Sequence, residues 1–223
     1  MSENREIVIP GQLVGEGVKC DNSCYLEGGK VYSLVRGLVR MSGDRVSIIP
    51  VSGPYMPKVG DMVIGTIVED FGKVYLVDTK TAYYSVVREE RDDDRRSRNR
   101  SERRPQVKYN IGDLVSGKIS SVDELHESQL TGVWKLEDGL TMEVDPKKVP
   151  RVIGKHRSMI NQIKDKTGCN IAVGQNGIIW LKGGKTNIAI EAIRKVEAEA
   201  HTSGLTDRIT QMLDEALSRS NKE

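Results

Sequence analysis

The stretch Val152-Ile153-Gly154-Lys155-His156-Arg157-Ser158-Met159-Ile160-Asn161-Gln162-Ile163, continuing to Thr167-Gly168-Cys169-Asn170-Ile171, decides the fold. Met159, Ile160 and Ile163 recur at helical spacing over residues 158–167, and Gly168 stands where a left-handed helix stop belongs. Ahead of that helix, Gly154 opens a short loop of Lys155, His156 and Arg157. A residue without Cβ lets an anion approach the backbone, and the following helix turns its free N–H groups and positive dipole end toward the same place. The residues alone leave two readings: a phosphate-facing loop, or a tight connection with a structural role.

Outward from this stretch, residues 139–203 alternate strand and helix signals. Residues 141–144 read as a strand. Residues 169–173 and 178–181 are strands joined by Gly174-Gln175-Asn176-Gly177, whose Asn-Gly marks a tight turn. Residues 185–201 place Ile188, Ala189, Ala192, Ile193 and Val196 on one helix face, and residues 205–217 do the same with Leu205, Ile209, Met212, Leu213 and Ala216. The order is strand, helix, helix, strand, strand, helix. Residues 145–190 hold nine Lys/Arg against two Asp, a local excess that points to a polyanionic partner or to a solvated surface.

Upstream, residues 62–68, 73–77, 83–87, 114–119 and 129–136 read as five short strands, fitting a small OB-type barrel. Residues 91–104 interrupt them with seven Arg, three Asp, one Glu and no apolar residue, a charged insertion able to touch phosphates. Residues 7–52 read as a small all-β module broken by glycines, with strands at 7–9, 30–38 and 45–51. Six basic and six acidic residues make 1–52 neutral, which suits protein contact. The two prolines of Gly53-Pro54-Tyr55-Met56-Pro57 make a rigid connector. The expected fold class is multidomain α+β, with boundaries at 1–56 for the β module, 57–137 for the barrel with its insertion at 88–108, and 138–223 for the α/β domain.

The 223 residues, 37% hydrophobic and 30% charged, support thin cores rather than one large one. No apolar run reaches the roughly 18 residues of a membrane span, and no secretory signal is visible. Three cysteines exclude a disulfide framework and fit a reducing cytoplasm. Cys20 and Cys24 lack a second ligand pair, so no metal is expected. No nucleophile–base set or phosphate-cradling loop of the Gly-x-x-x-x-Gly-Lys-Ser/Thr kind occurs, so neither an enzyme nor a cofactor is expected.

The Val152–Ile171 stretch resembles the KH signature, whose Gly-x-x-Gly loop clamps about four nucleotides. Gly154 matches that loop; Arg157 replaces its second glycine, adding charge where close backbone approach is needed. Val59-Gly60-Asp61-Met62-Val63-Ile64-Gly65-Thr66-Ile67, followed by Gly72-Lys73-Val74-Tyr75-Leu76-Val77-Asp78, resembles the opening of an S1-type RNA-binding barrel. A β module, an S1-type barrel and one KH module in this order resemble the archaeal exosome's RNA-binding cap subunits of the S1/KH kind, from about Ile9 to His201.

That resemblance implies a non-catalytic subunit. Three copies would cap a hexameric phosphorolytic ring and recruit single-stranded RNA for 3′-to-5′ degradation, with no membrane partner. The implied RNA-binding residues are Gly154, Lys155, His156, Arg157 and Ser158 in the loop, and Phe71, Lys73, Tyr75, Tyr83 and Tyr84 on the barrel. Strict alternation puts Lys73, Tyr75 and Val77 on one strand face. Lys73 and Tyr75 are expected together outside, although a barrel tyrosine serves packing as readily as stacking. The alternative is an OB/KH transcription or translation factor; elongation factors of that sort carry two KH modules of the other topology. A phosphorolytic nuclease carries KH before S1 and a far longer core.

Overall fold

A computed structural model describes residues 6–20, 23–51, 53–88, 108–200, 202 and 204–220. The charged insertion over 91–104 lies outside the described residues. The chain divides into two compact units, 1–54 and 55–223.

The first unit is all β. Its strands are β1 (Ile7–Val8), β2 (Leu13–Glu16), β3 (Lys19–Cys20), β4 (Cys24–Glu27), β5 (Lys30–Ser33), β6 (Gly37–Ser42) and β7 (Arg45–Pro50). They form one sheet in the order β1-β6-β7-β3 and another in the order β2-β5-β4. Val8, Cys24, Val31 and Ile48 make its small core. The single strand expected over 30–38 is two strands. Ser33 breaks it, its hydroxyl donating to the Val35 carbonyl at 2.5 Å and accepting the Val35 N–H at 3.3 Å. Such a local side-chain bond competes with the strand ladder.

The second unit begins with a closed five-stranded barrel: β8 (Met62–Asp70), β9 (Val74–Asp78), β10 (Ser85–Arg88), β11 (Leu114–Val122) and β12 (Ser128–Lys135), in the order β10-β12-β11-β8-β9. Parallel pairing of β10 with β12 closes it. Val63, Ile67, Tyr75, Val77, Val87, Tyr109, Val115, Ile119 and Leu130 fill its interior. Tyr75 meets Tyr109 edge-on at 5.3 Å, and the Tyr109 hydroxyl donates to the Val133 carbonyl at 2.9 Å. Burial pushes the Tyr109 hydroxyl's pKa up.

The α/β domain follows: β13 (Leu140–Glu143), α1 (Val149–Ile153), a 3-10 turn (Lys155–Arg157), α2 (Ser158–Thr167), β14 (Asn170–Val173), β15 (Ile178–Lys182), α3 (Thr186–Ala198) and α4 (Leu205–Ser220). The sheet order β13-β15-β14 is antiparallel throughout. Ile171, Ile179 and Leu181 face the helices, which contribute Val149, Val152, Ile163, Ala189, Ile193, Ile209 and Leu213 to one core. Complete burial of a side chain such as Ile209 or Leu213 favours folding by about 1.5–3 kcal/mol. Gly168 ends α2 at φ 67°, its N–H donating to the Lys164 carbonyl.

The sheet's other face packs on the barrel. Ile64 and Leu136 of the barrel meet Ile178, with Leu114, Ala172 and Trp180 around them. The turn between β14 and β15 does more than reverse the chain. The Asn176 side chain accepts the Ile64 N–H at 3.2 Å and donates to the carbonyls of Ile64 at 2.7 Å and Thr79 at 2.8 Å. The Gln175 N–H donates to the Met62 carbonyl at 2.7 Å. A Cβ on Gly174 would lie 2.3 Å from Asn176 Oδ1 and 3.0 Å from the Ile64 nitrogen, so the approach requires glycine. Lys80 and Glu143 pair across the same seam.

Candidate nucleic-acid interface

Two helices meet at residues 154–158. Pro150 lies in the first turn of α1, where a missing N–H costs nothing. The Gly154 N–H closes α1 onto the Pro150 carbonyl at 3.0 Å. Gly154 then takes φ 75°, ψ 168°, a region open essentially to glycine alone. Its missing Cβ would sit 2.7 Å from the Met159 nitrogen. The Arg157 N–H donates to the Gly154 carbonyl at 3.2 Å, folding the loop back on itself.

His156 at φ 52° and Arg157 at φ 64° are both left-handed. Each such L-residue costs roughly 1–2 kcal/mol. Arg157 thus occupies the conformation that a second glycine would adopt without strain. Lys155, His156, Arg157 and Ser158 are exposed, and Gly154 is half-buried. No side chain caps α2 and no acidic residue lies in its first turn. The result is a helix N-terminus fronted by three basic side chains, a geometry suited to phosphate. Arg151 is turned away, donating to the Thr202 carbonyl at 2.9 Å.

The barrel candidates do not form one cluster. Phe71, 66% exposed, tips the β8–β9 hairpin beside exposed Lys73. Arg88 lies across from Val74 at the same end, and exposed Lys108 precedes Tyr109. Arg88 and Lys108 bound the charged insertion, so their place on the barrel rim was hidden from the sequence.

Tyr83 and Tyr84 lie at the other end of β9, just before β10. The Tyr83 ring stacks on His126 at 5.2 Å. The expectation for Tyr75 is corrected: it is fully buried inside the barrel. Alternation does group Tyr75 with Val77, but their shared face is the core. Lys73 lies before β9 begins and is not bound by that alternation.

Around the rim, the Asn110 N–H holds the Asp113 carboxyl below its usual pKa, assisted by Lys135 at 3.0 Å. The Tyr55 hydroxyl donates to Asp61 at 2.6 Å; burial first, then that carboxylate, push its pKa upward. Among the described residues no group of three His, Cys, Asp or Glu side chains could hold a metal ion. No helix among them is long and apolar enough to cross a membrane.

A small N-terminal β module, an OB-like barrel and a KH domain in one chain define the class of exosome RNA-binding components. The KH domain family matches residues 139–187, and the family described as "Exosome RNA binding protein RRP4 N-terminal domain" matches residues 5–52. The exosome complex component Rrp4 of Pyrococcus horikoshii is 39% identical over 222 residues, covering 95% of this chain and 83% of that protein. That of Picrophilus torridus is 39% identical, covering 98% and 96%. A crystal structure provisionally described as an exosome complex RNA-binding protein is 34% identical, with a TM-score of 0.62 over 77% of this chain and 100% of that chain. The chain belongs to the Rrp4 family of exosome complex components.

Proposed function

We propose that this chain is a non-catalytic RNA-binding component of a cytoplasmic archaeal exosome. Three copies cap a hexameric phosphorolytic ring and deliver single-stranded RNA to it. Residues 1–56 seat the subunit on the ring, 57–137 line the entrance, and 138–223 add a phosphate contact. The observation that carries the reading is the exposed loop of Gly154, Lys155, His156, Arg157 and Ser158, with no carboxylate in the first turn of the helix behind it. Phe71, Lys73, Tyr83 and Tyr84 are the stacking and phosphate contacts on the barrel. Weak contacts joined in one chain raise local RNA concentration without chemistry in this subunit.

Affinity capture of the tagged chain from native lysate tests the assembly. Ring subunits are expected to co-purify with the whole chain and to be lost without residues 1–56, while 57–223 still binds RNA. Retention of the ring after that deletion refutes the attachment. RNA shortening that persists through re-purification of the chain refutes the non-catalytic role.

A further inference from the structure

The exposed Trp134 of β12 stands outside every site described above. Strands β11 and β12 pair Ser116 with Trp134 and Lys118 with Thr131. Only Gly117 lies between the two pairs on β11, whereas Gly132 and Val133 lie between them on β12, so β12 carries a bulge. Gly132, within it, has φ 59°. Residues three apart on a regular strand point to opposite faces, whereas this bulge brings Thr131 and Trp134 to the same face, with Lys118 and Ser116.

That face is the outer wall. Val115, Ile119 and Leu130 point inward, and Ser116 pairs with Ile64, which packs on Ile178 of the KH domain. Trp134 is 45% exposed there, one strand removed from the β8 segment held by Asn176. Lys118 is exposed and, among the described residues, has no acidic partner. Neither 114–118 nor 131–136 contains a carboxylate. Lys135 is already engaged by Asp113 and Glu137.

We propose that Trp134 is a base-stacking platform for single-stranded RNA and that Lys118 meets an adjacent phosphate. An indole face accepts any base, and the ammonium beside it supplies the complementary charge. The inference rests on the RNA-binding reading above. It adds a contact on the wall facing the KH seam, apart from Phe71 and from the loop at Gly154.

Fluorescence titration of the whole chain with oligouridylate tests it. The chain has two tryptophans, Trp134 and Trp180, the latter partly buried at the seam, so the difference in quenching between the wild type and Trp134→Phe isolates Trp134. Quenching is expected in the wild type and lost in Trp134→Phe, which keeps most of the affinity. Trp134→Ala is expected to weaken binding by roughly 5- to 150-fold, equivalent to ~1–3 kcal/mol per stacked base, without changing the salt dependence. Lys118→Ala is expected to flatten the log–log salt slope by about 0.7.

Photo-crosslinking of 4-thiouridine RNA to the unaltered chain supplies a readout independent of any variant's folding. An adduct on the Trp134 peptide supports the platform. RNA binding without quenching, or with adducts only elsewhere, overturns it and leaves the RNA-binding reading standing. Failure of the wild type to bind any RNA overturns both.

Discussion

The KH domain contains two short glycine loops that put their polar groups to opposite uses. In the turn from Gly174 to Gly177, Asn176 is 5% exposed and its amide is bonded to Ile64 and Thr79 of the barrel. In the loop from Gly154 to Ser158, four of five residues are exposed and two L-residues are left-handed. The first loop is satisfied inside the molecule. The second is held in a costly conformation with its cations facing water. Burial and internal hydrogen bonding therefore separate a loop that fastens two domains from one available to an outside ligand, although both begin with glycine.

The sharpest way to break this comparison is Asn176→Ala. It leaves the Ile64 N–H and the Ile64 and Thr79 carbonyls unpaired at a buried seam. At about 1–3 kcal/mol for each buried unsatisfied group, a loss of about 3 kcal/mol or more is expected in urea denaturation. A loss below ~1 kcal/mol means that the apolar contacts alone hold the seam. Gly154→Ala is next, with about 2–3 kcal/mol lost to a forbidden φ/ψ and to crowding at Met159. Here the exposed loop would, for once, behave like the buried turn.

Arg157→Gly runs the other way. It relieves a left-handed L-residue and is expected to add about 0.5–1 kcal/mol of stability, the gain being reduced by glycine's unfolded-state entropy. It should also flatten the salt slope of RNA binding by about 0.7 through one lost charge. The smallest stability effect belongs to the Lys155→Ala, Arg157→Ala double variant, within about 0.5 kcal/mol of the wild type for surface changes. Its slope is nevertheless expected to flatten by roughly 1.4. An unchanged slope would make the loop a spacer rather than a contact.

Much of the architecture is legible because it is periodic. Met159, Ile160 and Ile163 with the stop at Gly168 place α2, and alternating apolar residues place the five barrel strands. Alternation divides a strand into two faces without naming the inner one. Val74 and Leu76 are as apolar as Tyr75 and Val77, so Tyr75 reads equally well outside. Lys155, His156 and Arg157 are legible as a group because they are contiguous. The split between Phe71 with Lys73 and Tyr83 with Tyr84 depends on the direction of β9, which periodicity does not carry. Asn176 announces a turn correctly but conceals its partner, since Ile64 lies 112 residues away.

The position of that partner bears on how the barrel survives alone. Strand β9 pairs with β8 only from Thr66 onward, leaving Met62 and Ile64 beyond its reach. The KH turn occupies the vacancy, supplying the bonds that a longer β9 would have made. The barrel is thus closed in strand order but finished by a segment synthesised about a hundred residues later. Until then the nascent chain shows the solvent a short raw sheet edge, the kind of surface that recruits stray strands. A chain ending at residue 137 should accordingly self-associate, and light scattering would register it where the longer chain stays monodisperse.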